Sequence, residues 1–554
     1  MPVKTPDKTS YLCWLCLGLL TFLIICPLFM VFTKAVISDG RFDLSQALQT
    51  LTDLSNLTTI SNSLLLGFAV VAVTTLIAAP LAFILAKTPL GRHQWLDIVF
   101  MIPFMTPPYI ASMGWILFMQ KRGLLQQLCP ALQNISESFF SFGGLVLIMS
   151  LHIAPFMVTI LKNAMLNIPV SLLESGAVFG ANRLYRLRHI FLPLLSANYV
   201  IGALLVFVKT LSEYGTPATL GYRIGFYVFT TDIHRYATTA PIDFGRAASL
   251  SSVLVVICLC FWYFQNRVTA AHSYRLVSGK GARTSAGSFS PVFKAAAWSY
   301  ILILLILAIG IPYFSVIATS LIKLRGYGLV AGNFTLQHYA DLFFENIKGQ
   351  QALGNSLFLA TASATIASVL GTAIVLLIRQ SRLRWRKLLE SISLLPEMLP
   401  GIVLVIGVML FWNGIYQWLP LYNTLGIMVL AYVVLFLPYN IQYVTSAFTQ
   451  INDNLLWAGR TLGGTPYYVF RRITLPLIMK GVAVGWMMTF IIAFRELVTA
   501  SLIAPPNTLV VSTFIMREFE QGSVSVGMAM AVVCVLSTTT ALIALNHIIN
   551  QKKA

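Results

Sequence analysis

Long apolar runs recur along the chain, separated by short polar stretches. A hydrocarbon core about 30 Å thick requires roughly 20 apolar residues in a helix. Twelve runs have that character, at approximately 11–36, 62–86, 96–119, 142–162, 196–220, 246–266, 295–320, 354–378, 389–412, 424–445, 479–503 and 522–547. The first follows Lys4 and Lys8. It is too long for a signal-peptide core and lacks a small-residue cleavage site after it, so it reads as an uncleaved anchor.

Composition agrees with that pattern. The 554 residues are 57% hydrophobic and 10% charged, with a mean hydropathy of +0.80. This excludes a soluble enzyme, a disordered chain and a secreted disulfide scaffold, and leaves an all-α polytopic membrane protein. The net charge of +19 suits a nucleic-acid binder only until the hydrophobicity is considered, so the expected partner is a lipid bilayer and no nucleic acid. Most of the excess Lys and Arg falls in alternate loops on the side of the N-terminus, and the opposite loops are nearly balanced. The positive-inside rule then predicts that both termini are cytoplasmic. Cys13 and Cys16 have CxxC spacing but lie in an apolar run without the second ligand pair of a zinc site.

The chain repeats itself. Asn62-Ser63 returns as Asn355-Ser356, Pro103 as Pro396 and Pro107 as Pro400, each 293 positions later. Beyond the third span the offset becomes 283: Pro155 returns as Pro438, Gly180 as Gly463, Ile190 as Ile473, Pro193 as Pro476 and Glu213 as Glu496. The first copy therefore carries about ten extra residues, around Lys121 to Phe140. The expected units are 1–266 and 295–554, each with six spans, joined by a basic Gly- and Ser-containing linker over 267–294. An even number of spans gives both copies the same orientation. Parallel repeats of this kind place a pathway at the interface between halves.

The loops between the fourth and fifth spans, about 166–195 and 449–478, share one layout. The first has Glu174, Ser175, Gly176 and Gly180, then Ile190, Leu192 and Pro193. The second has Trp457, Ala458, Gly459 and Gly463, then Ile473, Leu475 and Pro476. Small residues permit close helix approach, the later glycines permit a turn, and proline suits the start of a new helix. Arg183, Arg186, Arg188, Arg471 and Arg472 make the segments basic. Both loops resemble the EAA motif of membrane subunits in bacterial ABC importers. That resemblance implies the type I importer permease fold in the inner (cell) membrane. It also implies short coupling helices that dock on two copies of a cytoplasmic ATP-binding cassette ATPase, and a periplasmic substrate-binding protein. Trp457 stands where the motif expects an acid, so the two ATPase contacts need not be equivalent.

No nucleotide site is expected in the chain itself. Around Gly279-Lys280 a P-loop would need Gly in place of Tyr274 and Ser or Thr in place of Gly281. The chain is thus not read as an enzyme: it has no catalytic residues and no cofactor, and ATP is used by partner subunits. Ionisable groups inside spans are functional candidates by default. Glu213 and Glu496 fall in equivalent fifth-span positions, Arg495 adjoins Glu496, and Glu397 lies between Pro396 and Pro400. These four are candidates for the translocation path or gate, although Lys209, one turn before Glu213, offers a structural ion pair instead. His152 and His234 lack partners at ligand spacing, and no metal site is assigned.

Two permease units fused in one chain of this length resemble the ferric iron importer permeases, a likeness that includes Arg495-Glu496-Leu497 and Pro505-Pro506 with Glu520 and Gly522. Fused thiamine and phosphonate permeases are similar in layout. A reading of another class is an ion-driven secondary transporter using Glu213, Glu397 and Glu496; the duplicated loop motif argues against it.

Overall fold

The computed structural model describes residues 8–38, 41–43, 45–271, 290–380 and 385–550. Most of the expected linker, 272–289, lies outside the described residues, as do 1–7 and 551–554. The architecture is helical, apart from a short pair of strands at Ile37–Ser38 and Arg41–Phe42. Among the described residues ten helices are long and apolar enough to cross a membrane, and counting each of two bent pairs as one span gives twelve. In chain order they are α1 (Tyr11–Val36), α2 (Leu54–Lys87), α3 (Trp95–Met105 with Pro108–Leu128), α4 (Phe142–Asn167), α5 (Arg183–Ser212) and α6 (Phe244–Thr269). The second series is α7 (Pro291–Leu321), α8 (Ile347–Arg379), α9 (Arg386–Met398 with Gly401–Gly414), α10 (Leu425–Thr449), α11 (Tyr467–Phe494) and α12 (Val524–Ile543).

Proline shapes these helices in two ways. α3 bends by 89° and α9 by 110°. The residue before a proline is driven out of the helical region, and Thr106 (ψ 136°) and Leu399 (ψ 147°) are extended ahead of Pro107 and Pro400. The kinks expected from the duplicated prolines are there, and they are full breaks. Elsewhere the helix runs on through the proline. Wider π turns at Thr21–Ile25, Leu187–Phe191, Ile306–Gly310 and Phe470–Thr474 each end two residues before a proline: Pro27, Pro193, Pro312 and Pro476. A proline ring clashes with the carbonyl four residues earlier, and in all four cases that carbonyl lies within the π turn. Pro193 and Pro476 therefore do not open new helices, as the sequence suggested. They sit inside α5 and α11, whose first residues lie well upstream.

The chain forms two compact units, and these are not the sequence halves. The first comprises Met1–Leu51, Ile233–Val255 and Leu336–Ala554; the second comprises Thr52–Asp232 and Val256–Thr335. In the first unit α1 buries Leu20 and Ile24 among Ile374 of α8, Leu389 of α9 and Leu437 and Ile441 of α10. Phe22 packs edge-on against Phe411 and Trp412 at 5.2 and 5.7 Å. A Cβ on Gly407 would lie 2.6 Å from the Pro27 carbonyl oxygen. The second unit repeats this contact: a Cβ on Gly114 of α3 would lie 2.6 Å from the Pro312 carbonyl oxygen of α7. In each unit the first span of one repeat thus seats its proline turn on a glycine in the third span of the other.

Polar side chains knit the first unit internally. Buried Asn440 of α10 accepts from Ser368 of α8 and donates to Thr489 of α11, both at 2.6 Å. Among helices in lipid, where apolar contact gives little drive to associate, such bonds and small-residue contacts hold the bundle. Gly371 and Gly485 flank the same asparagine, with Cβ positions 2.9 Å from its side chain.

Gly114→Leu and Gly407→Leu are each expected to lower the thermal unfolding midpoint of the detergent-solubilised chain, since overpacking costs about 1–3 kcal/mol. Leu65→Ala, at an exposed position on α2, should shift it far less. Equal small shifts from all three would contradict the seating contact.

Candidate functional site

The two loop motifs fold into the same structure. A short helix, Val170–Val178 or Asp453–Thr461, ends at a glycine in the left-handed region: Gly180 at φ +83° and Gly463 at φ +84°. Ala181 N–H donates to the Gly176 carbonyl at 2.9 Å, and Gly464 N–H donates to the Gly459 carbonyl at 3.0 Å. This six-to-one bond is the Schellman closure, which needs a residue free to adopt positive φ. The chain then restarts at once. Asn182 accepts from the Tyr185 N–H at 2.7 Å and Thr465 from the Tyr468 N–H at 3.2 Å, capping α5 and the beginning of α11.

The remaining motif residues fix the angle between the arms. A Cβ on Gly176 would lie 2.8 Å from Ile190 Cδ1, and one on Gly459 would lie 2.6 Å from Ile473 Cδ1. The glycine and the isoleucine of each motif are thus one contact, a hole and its knob. Arg186 adds a bond to the Leu173 carbonyl at 3.1 Å in the first loop. Glu174, Ser175, Trp457 and Ala458 face outward, as do Leu192 and both prolines, while Leu475 is half-buried. The Arg460 guanidinium lies over the Trp457 ring at 5.5 Å, so the tryptophan in the acidic position makes a local cation–π contact.

At the tip of each loop stands a residue that sequence reasoning passed over. Phe179 is 89% exposed and its counterpart Leu462 is 87% exposed. Both immediately precede the left-handed glycine. A large apolar side chain is thus exposed at the same place in both copies. Its signal in the sequence was an apolar residue directly before each conserved-layout glycine.

Glu213 and Glu496 do not lie within unbroken helices. α5 ends at Ser212 and α11 at Phe494. Each carboxylate turns forward to the next segment. Glu213 accepts from the Thr216 N–H with both oxygens at 3.1 Å. Glu496 accepts from Val498 N–H at 3.0 Å and Thr499 N–H at 2.8 Å, capping the short helix Val498–Ile503. The freed carbonyls are met too: Thr230 Oγ1 donates to the Glu213 carbonyl at 2.8 Å, and Ser512 Oγ donates to that of Glu496. Among the described residues no ion pair joins Lys209 to Glu213. The four-residue spacing holds only on a continuous helix, and Glu213 lies beyond its end. Arg495 is half-buried, directly after the end of α11.

The repeated Asn-Ser pair serves the same breaks. Asn62 donates to the Tyr227 carbonyl at 3.2 Å and Ser63 accepts from Phe229 N–H at 2.8 Å. Asn355 donates to the Leu509 carbonyl at 2.9 Å and Ser356 accepts from Val511 N–H at 2.8 Å. In the sequence this pair was only a mark of duplication; in the structure it pins the segment after each broken helix to the second span of the same repeat.

Glu397 is the asymmetric site. It is exposed, one residue short of the end of the first half of α9, and the Gln442 amide of α10 donates to it. Its counterpart Phe104 instead packs edge-on against Phe156 at 4.3 Å, beside His152. His234 Nε2 lies 3.1 Å from Ser501 Oγ. Among the described residues no group of three or more His, Cys, Asp or Glu side chains could hold a metal ion.

A duplicated helical bundle with two identically built loop motifs defines a membrane transport subunit. The family model of the binding-protein-dependent transport system inner membrane component matches residues 78–271 and again 365–554, and the chain belongs to that family. It is a multi-pass inner-membrane permease subunit of an ABC importer and not an enzyme. A ferric transport system permease protein of Actinobacillus pleuropneumoniae is 25% identical over 92% of this chain and 74% of its own length. An Fe(3+)-transport system permease protein of Haemophilus influenzae is 25% identical over 89% of this chain and 90% of its own. A spermidine/putrescine transport system permease of Escherichia coli is 26% identical over 36% of this chain and 72% of its own. Among solved structures, a bacterial ABC transporter that imports alginate matches 47% of this chain and 98% of its own at 20% identity, with a TM-score of 0.37, a likeness too slight to bear on the argument.

The caps at the helix breaks make a direct prediction. Glu213→Ala and Glu496→Ala should each lower the thermal midpoint, as a hydrogen bond to a charged group contributes about 1.5–3 kcal/mol. Gln variants, which keep one acceptor oxygen, should fall between Ala and wild type. Midpoints unchanged in both Ala variants would show that the carboxylates do not hold the breaks.

Proposed function

We propose that this permease imports ferric iron, delivered by a periplasmic substrate-binding protein and driven by ATP hydrolysis on two ATPase subunits. The observation that carries the substrate is coverage. The ferric permeases are matched over both repeats, 92% and 89% of the chain, whereas the polyamine permease is matched over 36%. Orientation follows from charge: both termini and both motif loops lie on the cytoplasmic side. There each loop, with Phe179 or Leu462 at its tip, inserts into one ATPase subunit. The Gly176–Ile190 and Gly459–Ile473 contacts make each loop a stiff lever, so that displacement of the tip moves α5 or α11 as a body.

The path residues divide into two roles in this reading. Glu213 and Glu496 shape the broken helices on the outer side, with Arg495 beside the second. Glu397, exposed at the bend of α9 next to Gln442, faces the passing ion. Carboxylate oxygens suit a hard trivalent cation, and a single such group gives the weak, brief contact that transport needs.

Uptake of radiolabelled ferric iron by cells expressing the full transporter tests both parts. Gly180→Arg combined with Gly463→Arg should abolish uptake and co-purification of the ATPase; survival of both would remove the coupling assignment. Glu397→Ala should lower ferric uptake about tenfold or more, a loss of about 1.4 kcal/mol in the rate-limiting step, with the ATPase still bound. Selective loss of phosphonate or thiamine uptake in cells lacking the chain, with ferric uptake intact, would leave the importer and replace its substrate.

A further inference from the structure

The second unit contains an open cavity of about 630 Å³, with polar and apolar lining, that no function described so far uses. Two loops enclose it. One runs from Gln120, in the last turns of α3, to Gln133; the other runs from Thr319, at the end of α7, to Gly328. Three cations line it, Lys121, Arg122 and Arg325, and among the described residues no Asp or Glu does. None of the three makes an ion pair among the described residues. Cations gathered around one concavity without a counter-charge raise the local positive potential and attract an anionic partner.

The cavity is a built feature. Gln127 ties its two walls together: its Oε1 accepts from Leu329 N–H at 2.9 Å, and its Nε2 donates to the Arg122 carbonyl at 3.1 Å. Gln126 Oε1 accepts from Arg122 N–H at 2.8 Å, holding Arg122 in the left-handed region at φ +58°. Across the seam Gly328 stands at φ +65°, and a Cβ there would lie 2.3 Å from Gln127 Oε1. Asn333 closes the second loop with bonds to the Leu324 and Gly328 carbonyls, both at 2.8 Å. Beneath it Phe118, Leu124, Leu125, Ala318 and Ile322 form an apolar floor.

Its place in the repeat is informative. The wall from Lys121 onward falls in the stretch where the first copy is about ten residues longer than the second. The corresponding turn of the second copy, 415–424, carries no Lys or Arg. The cationic wall is therefore a feature of the first copy's turn. Because α4 separates this loop from the first motif loop, the cavity opens on the membrane face opposite the motif loops. The volume exceeds that of a lone oxyanion and accommodates a protruding loop with one or two carboxylate side chains.

Resting on the importer reading above, we infer that this cavity is the seat for an acidic surface loop of the substrate-binding protein, its carboxylates paired with Lys121, Arg122 and Arg325. The test uses membrane vesicles bearing the full transporter, titrated with the purified periplasmic protein that restores ferric uptake to them. Arg122→Glu combined with Arg325→Glu should raise the half-saturating concentration of that protein about tenfold or more at low salt, because like charges then face each other. The gap should narrow at high salt, as screening weakens exposed charge interactions. The double Gln variant should lie between. Arg122→Glu alone should still raise half-saturation, whereas the same charge change outside the cavity, Lys348→Glu, should leave it in place. Half-saturation unmoved by both double variants overturns the seat while uptake still depends on the periplasmic protein, so the importer reading stands. An equal shift from Lys348→Glu also overturns it, since net charge alone then accounts for the effect. If millimolar citrate or phosphate protects the full chain against heat through Arg122 and Arg325 while half-saturation is unmoved, the occupant is a free anion and the docking inference falls. Vesicles that take up iron with no periplasmic protein at all remove the importer reading and this seat with it.

Discussion

In hydrocarbon no water takes up an unmet backbone N–H or carbonyl, so every interruption of a helix needs a local partner. This chain interrupts its helices at places that correspond between its two repeats, and the partners correspond too. Beyond Ser212 and Phe494 the released N–H groups go to Glu213 and Glu496, and the released carbonyls go to Thr230 and Ser512. Where proline lies inside α1, α5, α7 or α11, a π turn absorbs the clash without ending the helix. The breaks in α3 and α9 come where a second proline, Pro107 or Pro400, forces its predecessor to extend. The Glu213 and Glu496 carboxylates are thus tied first to the backbone, whereas Glu397 is exposed and bonded to the Gln442 side chain.

Close approach at glycine is the second device, and it works at two scales. Gly114 and Gly407 admit the proline turns of α7 and α1, which places each repeat's first span on the other repeat's body. Gly176 and Gly459 admit Ile190 and Ile473, which sets the angle of each motif loop. In both cases the glycine is required by space, whereas at Gly180 and Gly463 it is required by the backbone's left-handed turn. Both copies hold these contacts while other positions differ: Trp457 stands where the first copy has Glu174, Glu397 stands where it has Phe104, and the turn 415–424 lacks cations like Lys121 and Arg122.

Much of this was legible in the sequence. Span length, charge asymmetry, the offset of 293 that falls to 283, and the spacing of Gly180 to Pro193 each reflect a local physical requirement. What was not legible depended on chain path. Nothing in a linear pattern distinguishes a first span that stays with its own repeat from one that crosses to the other, because the same apolar surface serves either. Nor does four-residue spacing between Lys209 and Glu213 reveal that the helix stops between them. The pairing of Gly176 with Ile190 was implicit in the motif, since small and branched residues recur at fixed separation, but its meaning as one contact required the fold.

The account's central claim is that the two motif loops carry energy from ATP-hydrolysing partners into the bundle. Ferric uptake should therefore follow ATP and not the proton gradient. Measured in intact cells expressing the full transporter, uptake should continue after an uncoupler collapses the gradient while cellular ATP is maintained, and should stop when arsenate depletes ATP with the gradient preserved. Uptake that stops with the uncoupler and persists under arsenate would contradict the claim and mark the chain as an ion-driven transporter.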